Sequence, residues 1–182
     1  MTYRLPLILG LLIFAGCSDQ SSKAADGPTA EQAVAYMVFG LEEGTVVPVG
    51  LEGDPPAFHQ TSAEPLTYVA EKDPAKVTIT ITRQDDCNYA INFAARDNFK
   101  FSLDFGKLTS VAIIEQDLGM GAPKHGTTLT GARMTCNVEE QGFCEMFQKT
   151  SSWPFRLEDN DPGRLPGMVK CFQTNFCKGQ PS

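Results

Sequence analysis

The sequence predicts an α+β domain in which an N-terminal helix, an antiparallel meander of five to six strands and a C-terminal helix follow one another. The centre of the chain alternates polar and apolar residues with a period of two, as half-buried strands do. The segments on either side carry apolar residues three and four positions apart, which is the spacing of an amphipathic helix. Because a sheet with one apolar face needs a cover, we expect the two helices to pack on it.

The first helix is predicted over residues 30–42. Thr29 is a suitable N-cap, and Gln32 three positions later completes a capping box. The apolar positions that follow lie on one face of the predicted helix, which we expect to be buried. Gly44 comes after the last residue of this pattern, so the helix is expected to end before it.

The predicted strands follow a loop over residues 44–65, which contains four prolines and in which residues 45–49 are a candidate for a short strand. Residues 77–82 combine the alternation with β-branched side chains throughout, which is the clearest strand pattern in the chain. Short polar segments separate the alternating stretches, as hairpin turns do. The predicted strands cover residues 77–82, 87–93, 99–105, 108–115 and 127–138, and residues 66–71 are a candidate for a sixth.

The C-terminal helix is predicted over residues 163–176. Asp161 followed by Pro162 is typical of a helix start, because the carboxylate can accept from free amides and proline fits the first turn. Between the sheet and this helix we expect a short helical turn at residues 144–147 and irregular chain at residues 151–160.

The N-terminal residues 1–17 have the parts of a secretory signal. Arg4 precedes an uncharged apolar run at residues 5–14, which is too short to span a bilayer because a helix needs about 20 residues to do so. Small residues then lead to a cysteine. This ending resembles the lipobox of bacterial lipoproteins, with phenylalanine where leucine is usual: Phe14-Ala15-Gly16-Cys17.

The resemblance, which covers residues 1–17 only, implies that the Cys17 thiol receives a diacylglycerol and that the chain is then cut before this residue. Two or three acyl chains give a stable membrane anchor. It also implies a cell-envelope location, and Ser18 after the cysteine favours the outer membrane, facing the periplasm, in a bacterium with two membranes. The predicted parts are a signal peptide at 1–16, a lipidated flexible tether at 17–28 and a single α+β domain at 29–182.

The charge of the chain argues against nucleic acid as a partner. It has 15 Lys and Arg residues against 22 Asp and Glu residues, a net charge of −7. Removal of residues 1–16 takes away Arg4 and no acid, which leaves 14 against 22, or −8. An acidic surface repels phosphate backbones and anionic lipid head groups. We therefore expect membrane contact through the acyl chains on Cys17, and an envelope protein as a possible partner.

Cysteines other than Cys17 are disulfide candidates, because exported chains form disulfides by default. Their number is five, so one thiol stays free unless it pairs with a second chain. Two bridges among five cysteines can be drawn in 15 ways, and the spacing favours Cys136–Cys144 only modestly. The chain contains no C-x-x-C motif, so neither a thioredoxin-like site nor a zinc ribbon is indicated. The candidates are Cys87, Cys136, Cys144, Cys171 and Cys177.

Catalytic, metal and cofactor motifs are weak throughout the sequence. His59 and His125 are the two histidines, and we interpret both as surface loop residues. The glycine-rich segment at 119–126 lacks the third glycine of G-x-G-x-x-G and the end of a P-loop, which favours a hairpin loop. Asp85 and Asp86 lie in a predicted tight turn and are expected to diverge into solvent.

The remaining motifs give no cofactor or metal site either. Asp159-Asn160-Asp161 does not meet the spacing of an EF-hand calcium loop, and Asp161 already serves as a helix cap. Phe99, Phe101 and Phe105 share one face of a predicted strand and are interpreted as core residues. We therefore expect no catalytic residue, no metal and no cofactor.

These observations favour a membrane-anchored lipoprotein whose domain has a binding or structural role rather than an enzymatic one. Two alternatives stay open. A lipid-anchored hydrolase would have to use His125 in its glycine-rich segment. A small-ligand carrier would place the aromatic side chains of Phe99, Phe101 and Phe105 around a cavity.

Lipidation at Cys17 gives the first testable prediction. Cells that make the wild-type protein and are fed a clickable fatty acid should label it, whereas a Cys17→Ser version should stay unlabelled and uncut. The substitution removes the only thiol that the lipobox resemblance assigns to the lipid. An unlabelled wild-type protein, together with normal processing of the Cys17→Ser version, would show that the chain is secreted without a lipid.

Overall fold

The structure, a computed structural model, describes residues 27–47, 55–72, 74–95, 98–115, 125–136, 148–157 and 161–178. The predicted signal peptide, Cys17 and the tether up to residue 26 lie outside these ranges, as does the helical turn predicted at 144–147. Within them, the principal elements are α1 Ala30–Phe39, β1 His59–Ala63, β2 Leu66–Lys72, β3 Ala75–Arg83, β4 Asn88–Ala94, β5 Asn98–Asp104, β6 Ser110–Glu115, β7 His125–Thr130, β8 Arg133–Cys136, β9 Ser152–Arg156, a 3₁₀ turn Pro162–Arg164 and α2 Leu165–Asn175.

The described strands form two antiparallel sheets instead of one meander. The larger sheet has six strands in the order β1-β2-β3-β4-β5-β8, and the smaller has three in the order β6-β7-β9. The α+β class and the antiparallel pairing were predicted correctly. The count of five to six strands was too low, and the separation into two sheets was not foreseen.

The strand predicted over residues 127–138 is in fact two strands that belong to different sheets. Gly131 separates them with φ of 85°, a left-handed conformation that favours glycine. A Cβ at this position would lie 1.9 Å from the carbonyl oxygen of Lys107, so a larger residue could not occupy the turn. The chain therefore leaves β7 in the small sheet and enters β8 in the large one, although the alternating pattern continues across the break.

Two strands fall in segments that were predicted to be irregular. β1 lies within the predicted loop 44–65, and its side chains are mostly exposed, so it lacks the apolar alternation that would reveal it. β9 lies within the predicted irregular segment 151–160 and is buried on both faces. Pro154 is tolerated there because β9 is an edge strand of the small sheet. The short strand expected at 45–49 is reduced to one bridge between Val46 and Ala57.

The other predicted elements agree with the structure within a few residues. The candidate strand at 66–71 is β2, and the strands at 77–82, 87–93, 99–105 and 108–115 are β3 to β6. The predicted C-terminal helix begins with the 3₁₀ turn, where the side chain of Asp161 accepts from the Gly163 amide at 3.2 Å. The capping box of Thr29 and Gln32 at the start of α1 is also present.

Helix α1 ends earlier than predicted and is buried on all sides. Gly40 takes the left-handed conformation with φ of 67°, which ends the helix after Phe39. Residues 33–39 are each at most 1% exposed, so no face of this stretch meets solvent. The helix contacts β3 of the large sheet, β7 and β9 of the small sheet, and α2. It therefore forms the centre of the core, whereas the sequence predicted a helix with one buried face.

Arg156 at the end of β9 caps the C-terminus of α1. Its side chain is 1% exposed, and Nη1 donates to the carbonyl oxygens of Tyr36 at 3.0 Å and Met37 at 2.9 Å. Two further groups complete the cap: Thr127 Oγ1 donates to Val38 O at 2.8 Å, and the Leu157 amide donates to Phe39 O at 2.8 Å. The carbonyls that a helix end leaves without intrahelical partners are thus all satisfied, with a cation at the negative end of the dipole.

Tyr36 connects this cap to the C-terminal segment. The guanidinium of Arg156 lies 5.6 Å from the centroid of the Tyr36 ring, and the guanidinium of Arg164 lies 5.1 Å from it. Its hydroxyl donates to the carbonyl of Asp161 at 3.0 Å. Arg164 in turn makes a two-pronged ion pair with Glu42, at 2.8 and 3.0 Å, just after α1. These contacts hold the start of α2 against the end of α1.

A disulfide joins the β3–β4 turn to the end of α2. Cys87 and Cys177 are bonded across a sequence separation of 90 residues, and Cys177 is 2% exposed. Next to this bridge, Tyr89, Phe105 and Phe172 pack with ring centroids 5.3–5.8 Å apart. The bridge therefore pins α2 over the same aromatic group that α2 helps to bury.

The buried cap predicts a large effect of substitution at Arg156. Arg156→Met keeps most of the side-chain volume but leaves the Met37 carbonyl buried without its donor and the Tyr36 carbonyl with the Gly40 amide alone. We therefore expect the free energy of unfolding to fall by about 2–4 kcal/mol. Arg133→Met is the matched control, because that side chain is 78% exposed and should change stability by less than about 0.5 kcal/mol. Urea denaturation followed by circular dichroism measures both. Equal stability of the two variants would contradict the role of Arg156.

Substitution of either cysteine of this disulfide should lower the free energy of unfolding by the same amount. Closing a loop of this length should stabilise the fold by about 4–5 kcal/mol in the chain-entropy model. Cys87→Ser, Cys177→Ser and the double variant should therefore lose similar amounts, because each removes the same bridge. Urea unfolding of the three proteins tests this. Additive losses in the double variant would show that the two cysteines do not act as one pair.

Candidate functional site

The outer face of the six-stranded sheet is polar and is not covered by the described helices. Residues that point inward from β3, β4 and β5 are apolar and buried, such as Ile81, Tyr89 and Leu103. Their neighbours along each strand point to the opposite face and are polar or small, and they are half-buried or exposed. The same alternation that builds the core therefore builds a polar surface on the back of the sheet.

A recess of about 260 Å³ lies in the middle of this outer face. Strands β3, β4 and β5 supply its lining, and each of them has hydrogen-bonded neighbours on both sides. The name outer-face recess is used below for this site. Its lining residues are Thr80, Thr82, Gln84, Ala90, Ile91, Asn92, Lys100, Phe101 and Ser102.

Cross-strand register places the outward side chains in two rows. Thr80, Asn92 and Lys100 are direct partners in the first row. Thr82, Ala90 and Ser102 form the second row in the same way. Neighbouring strands lie roughly 4.8 Å apart, so the rows bring hydroxyl, amide and amine groups close together. Ala90 is the smallest of these side chains, and it forms the low point between two hydroxyls.

Asn92 is the residue in the recess that most clearly lacks an internal explanation. Its Oδ1 atom is buried and has no hydrogen-bond partner among the described residues. A buried acceptor without a partner costs about 1–3 kcal/mol, so native structures rarely keep one without a reason.

The charge of the recess differs from that of the chain as a whole. Of the described residues that line it, Lys100 is the only charged one, and no carboxylate is among them. On the same face, Asp104 is paired with Arg133 at 3.0 Å. The described lining of the recess is therefore a hydrogen-bonding surface with one positive charge, within an acidic protein.

The sequence predicted both histidines in surface loops, but both lie at the start of strands. His59 begins β1 and contacts Glu43 at 2.7 Å, with 69% of its side chain exposed. His125 begins β7, and its cross-strand partners are Glu115 and Arg156. None of these partners is a serine or cysteine nucleophile, so the described contacts of His125 do not assemble a triad.

The pKa values of two carboxyl groups are lowered by hydrogen bonds that belong to the fold. The Gln60 amide, followed by the His59 side chain, lowers the pKa of Glu43 below its ordinary value. The Cys87 amide and the Asn88 side chain lower the pKa of Asp85. Asp85 thus stabilises the β3–β4 turn by accepting from its amides at 2.8 Å.

Asp86, the acid that follows Asp85, pairs with Arg83 at 2.6 Å. The two acids therefore have separate partners. A shared catalytic role would need both carboxylates in one cleft.

Two tyrosines also have shifted pKa values. Burial raises the pKa of Tyr68 and of Tyr89 to about 12, because it disfavours the phenolate. Both side chains lie on the inner face of the large sheet and are at most 3% exposed. Neither lines the outer-face recess, so these shifts reflect the core and not a reactive site.

The cysteines in the described ranges are all bonded. Besides the Cys87–Cys177 bridge, Cys136 and Cys171 are also in disulfides. Cys144 and the lipidation candidate Cys17 lie outside the described residues. The favoured pairing of Cys136 with Cys144, and the expectation of one free thiol, thus stay predictions.

The aromatic strand residues pack against other rings. Phe101 stacks on Trp153 with centroids 4.8 Å apart, and Phe105 meets Phe172 edge to face at 5.3 Å. Phe99 contacts the ring of Phe93 at 6.2 Å. These contacts support the interpretation of the three phenylalanines as core residues.

Other candidate motifs lie partly outside the described residues. These are residues 119–124 of the glycine-rich segment, together with Asp159 and Asn160. Across the described ranges, no group of three or more His, Cys, Asp or Glu side chains is placed to hold a metal ion. Within the same ranges, no helix combines the length and the apolar composition that a membrane span requires.

Comparisons with protein families, curated proteins and solved structures find no match to this chain. The site must therefore be interpreted from its own residues. Sequence reasoning did not find the outer-face recess, although the polar residues at alternate positions of β3, β4 and β5 were visible. The missing information was the register, which decides that Asn92 lies between Thr80 and Lys100.

Proposed function

We propose that this protein is a lipid-anchored, non-enzymatic binding domain of the cell envelope, and that it binds its partner at the outer-face recess. The observation that carries the proposal is the recess of about 260 Å³ itself, which lies on a face that the described helices do not cover and whose outward side chains are hydroxyl, amide and amine groups.

The position of the recess agrees with a rigid binding platform. Its lining residues come from three central strands of the large sheet, and the inner faces of these strands carry buried core residues such as Ile79, Ile91 and Leu103. Sites on strands hold their side chains more precisely than sites on loops. The lipid on Cys17 and the tether would keep this platform within reach of the envelope.

A hydrolase remains the weaker alternative. It would need a nucleophile beside His125, and the cross-strand partners of that residue are an acid and an arginine. The ring-to-ring packing of Phe101 and Phe105 likewise favours a core over the cavity that a small-ligand carrier would need.

Site-specific photo-crosslinking tests the binding role in living cells. A photoreactive phenylalanine in place of Ser102, which lines the recess, should give a discrete adduct with an envelope component. The matched control is the same residue in place of Lys76, which is exposed on the same face of the sheet but does not line the recess.

A filling substitution completes the experiment. Ala90→Leu should fill the recess and abolish the adduct formed from position 102, because Ala90 lines the recess directly beside Ser102. Ala94→Leu changes the same strand and face outside the recess and should leave the adduct intact. No adduct from position 102, or equal adducts from positions 102 and 76, would refute the proposed site.

A further inference from the structure

We infer that β6 of the small sheet is an interaction edge, and that it pairs antiparallel with β6 of a second copy of this chain. The inference concerns a different surface from the outer-face recess and goes beyond the binding role proposed there. It follows from a comparison of the outermost strands of the two described sheets, because three of them carry a feature that prevents further pairing and β6 does not.

Four strands lie at the edges of the described sheets: β1 and β8 in the large sheet, and β6 and β9 in the small one. An edge strand exposes unpaired amides and carbonyls, and proteins block such edges with short strands, charges, bulges, proline or a covering helix. β8 has four residues and begins with the exposed Arg133. β9 contains Pro154, and four of its five residues are buried where it contacts α1. Both strands are therefore protected.

The edge of β1 is blocked by a carboxylate. Oε2 of Glu43 accepts from the Gln60 amide at 2.7 Å, and Oε1 contacts Nδ1 of His59 at 2.7 Å. The pairing of β1 with β2 is also irregular between Gln60 and Ser62. A further strand at this edge would have to displace Glu43 from a backbone donor, so β1 is closed to pairing as well.

β6 has none of these protections. It runs over six residues without proline, it carries no charge before Glu115, and its register with β7 is continuous. β7 is its only strand neighbour in the part of the chain that the structure describes. Val111 and Ile113 pack against the core but stay half-buried, as side chains do at the open end of a sheet. A further strand would pair the free backbone groups and cover these two side chains.

The sequence of β6 is complementary to itself. An antiparallel pair with its two-fold axis at Ala112 places this residue opposite its own copy and Val111 opposite Ile113 of the second copy. Side chains alternate along a strand, so this register keeps the core-facing residues of both copies on one face of the joined sheet. Glu115 then lies opposite Thr109, so no like charges oppose each other across the pair. These features favour a second copy as the occupant of the edge.

The charge of the protein makes this association dependent on salt. The mature chain carries a net charge of −8 by sequence, so two copies repel each other. Salt screens this repulsion, and the screening length falls from about 10 Å at 0.1 M to about 3 Å at 1 M. Pairing through uncharged strands should therefore strengthen as salt is added, whereas an association through ion pairs would weaken.

Sedimentation equilibrium of the full mature lipoprotein in a density-matched detergent measures the association. The wild type should show a monomer–dimer equilibrium, and its dissociation constant should fall between about 0.1 M and about 1 M sodium chloride.

Variants with opposite charges test the register. Ala112→Lys and Ala112→Glu each place like charges opposite each other at the two-fold axis, so each should raise the dissociation constant about fivefold. An equimolar mixture of the two variants should associate at least as tightly as the wild type. Thr130→Lys and Thr130→Glu are the matched controls, because Thr130 is exposed on the same face of the neighbouring β7 and should leave association unchanged. Thermal unfolding shows that each variant is folded.

Photo-crosslinking in cells that make two differently tagged copies identifies the partner. A photoreactive phenylalanine in place of Ser110 on β6 should give an adduct that carries both tags. The same residue in place of Thr61, which is exposed on the blocked strand β1, should not.

Three results would overturn the inference: the protein is monomeric at every concentration and salt, the adduct from position 110 contains another protein instead of the second tag, or both Ala112 variants associate as the wild type does. None of these results bears on the adduct from position 102 in the recess. Failure of β6 pairing is therefore distinguishable from failure of the proposed function.

Discussion

The fold depends on a charged guanidinium that is held inside the protein at the end of a helix. Arg156 is 1% exposed, and its Nη1 reaches the last carbonyls of α1 together with the Thr127 hydroxyl. A charge in this position is stable only because the carbonyl oxygens and the negative end of the helix dipole surround it. The same carbonyls cannot reach water. The guanidinium therefore depends on the carbonyls as acceptors, and the carbonyls depend on the guanidinium as a donor.

This mutual dependence explains why α1 can lie in the middle of the molecule. A helix with solvent on one face can leave its terminal carbonyls to water, but α1 has no such face. β7 and β9 of the small sheet supply Thr127 and Arg156, whereas β3 of the large sheet packs along the helix. The two sheets are therefore joined through α1. Among the described elements, the outer face of the large sheet takes no part in this packing.

Local sequence patterns were sufficient for elements that are determined by local physics. The β-branched alternation of residues 77–82 predicted β3, the capping box predicted the start of α1, and Asp161 with Pro162 predicted the C-terminal helix. Each of these signals lies within a few residues of the element that it describes. They also gave the α+β class, because two amphipathic segments on either side of alternating strands allow few other arrangements.

The features that the sequence did not reveal depend on contacts between distant residues. Nothing near Arg156 in sequence indicates the carbonyls that it caps. The outer-face recess depends on the register of three strands, and the division into two sheets depends on one left-handed glycine at position 131. Exposed edge strands such as β1 carry no core-facing pattern by which they could be recognised.

The enclosure of α1 has a consequence for how the chain reaches this fold. Arg156, which caps the helix, follows Tyr36 by 120 positions, so α1 is among the first of the described elements to be synthesised and among the last to be completed. Contacts of such long range slow folding, because a large loop must close before they form. Until β9 is in place, the apolar segment of residues 33–39 lacks part of the structure that buries it, and exposed apolar segments of this kind make a partly folded chain prone to aggregate.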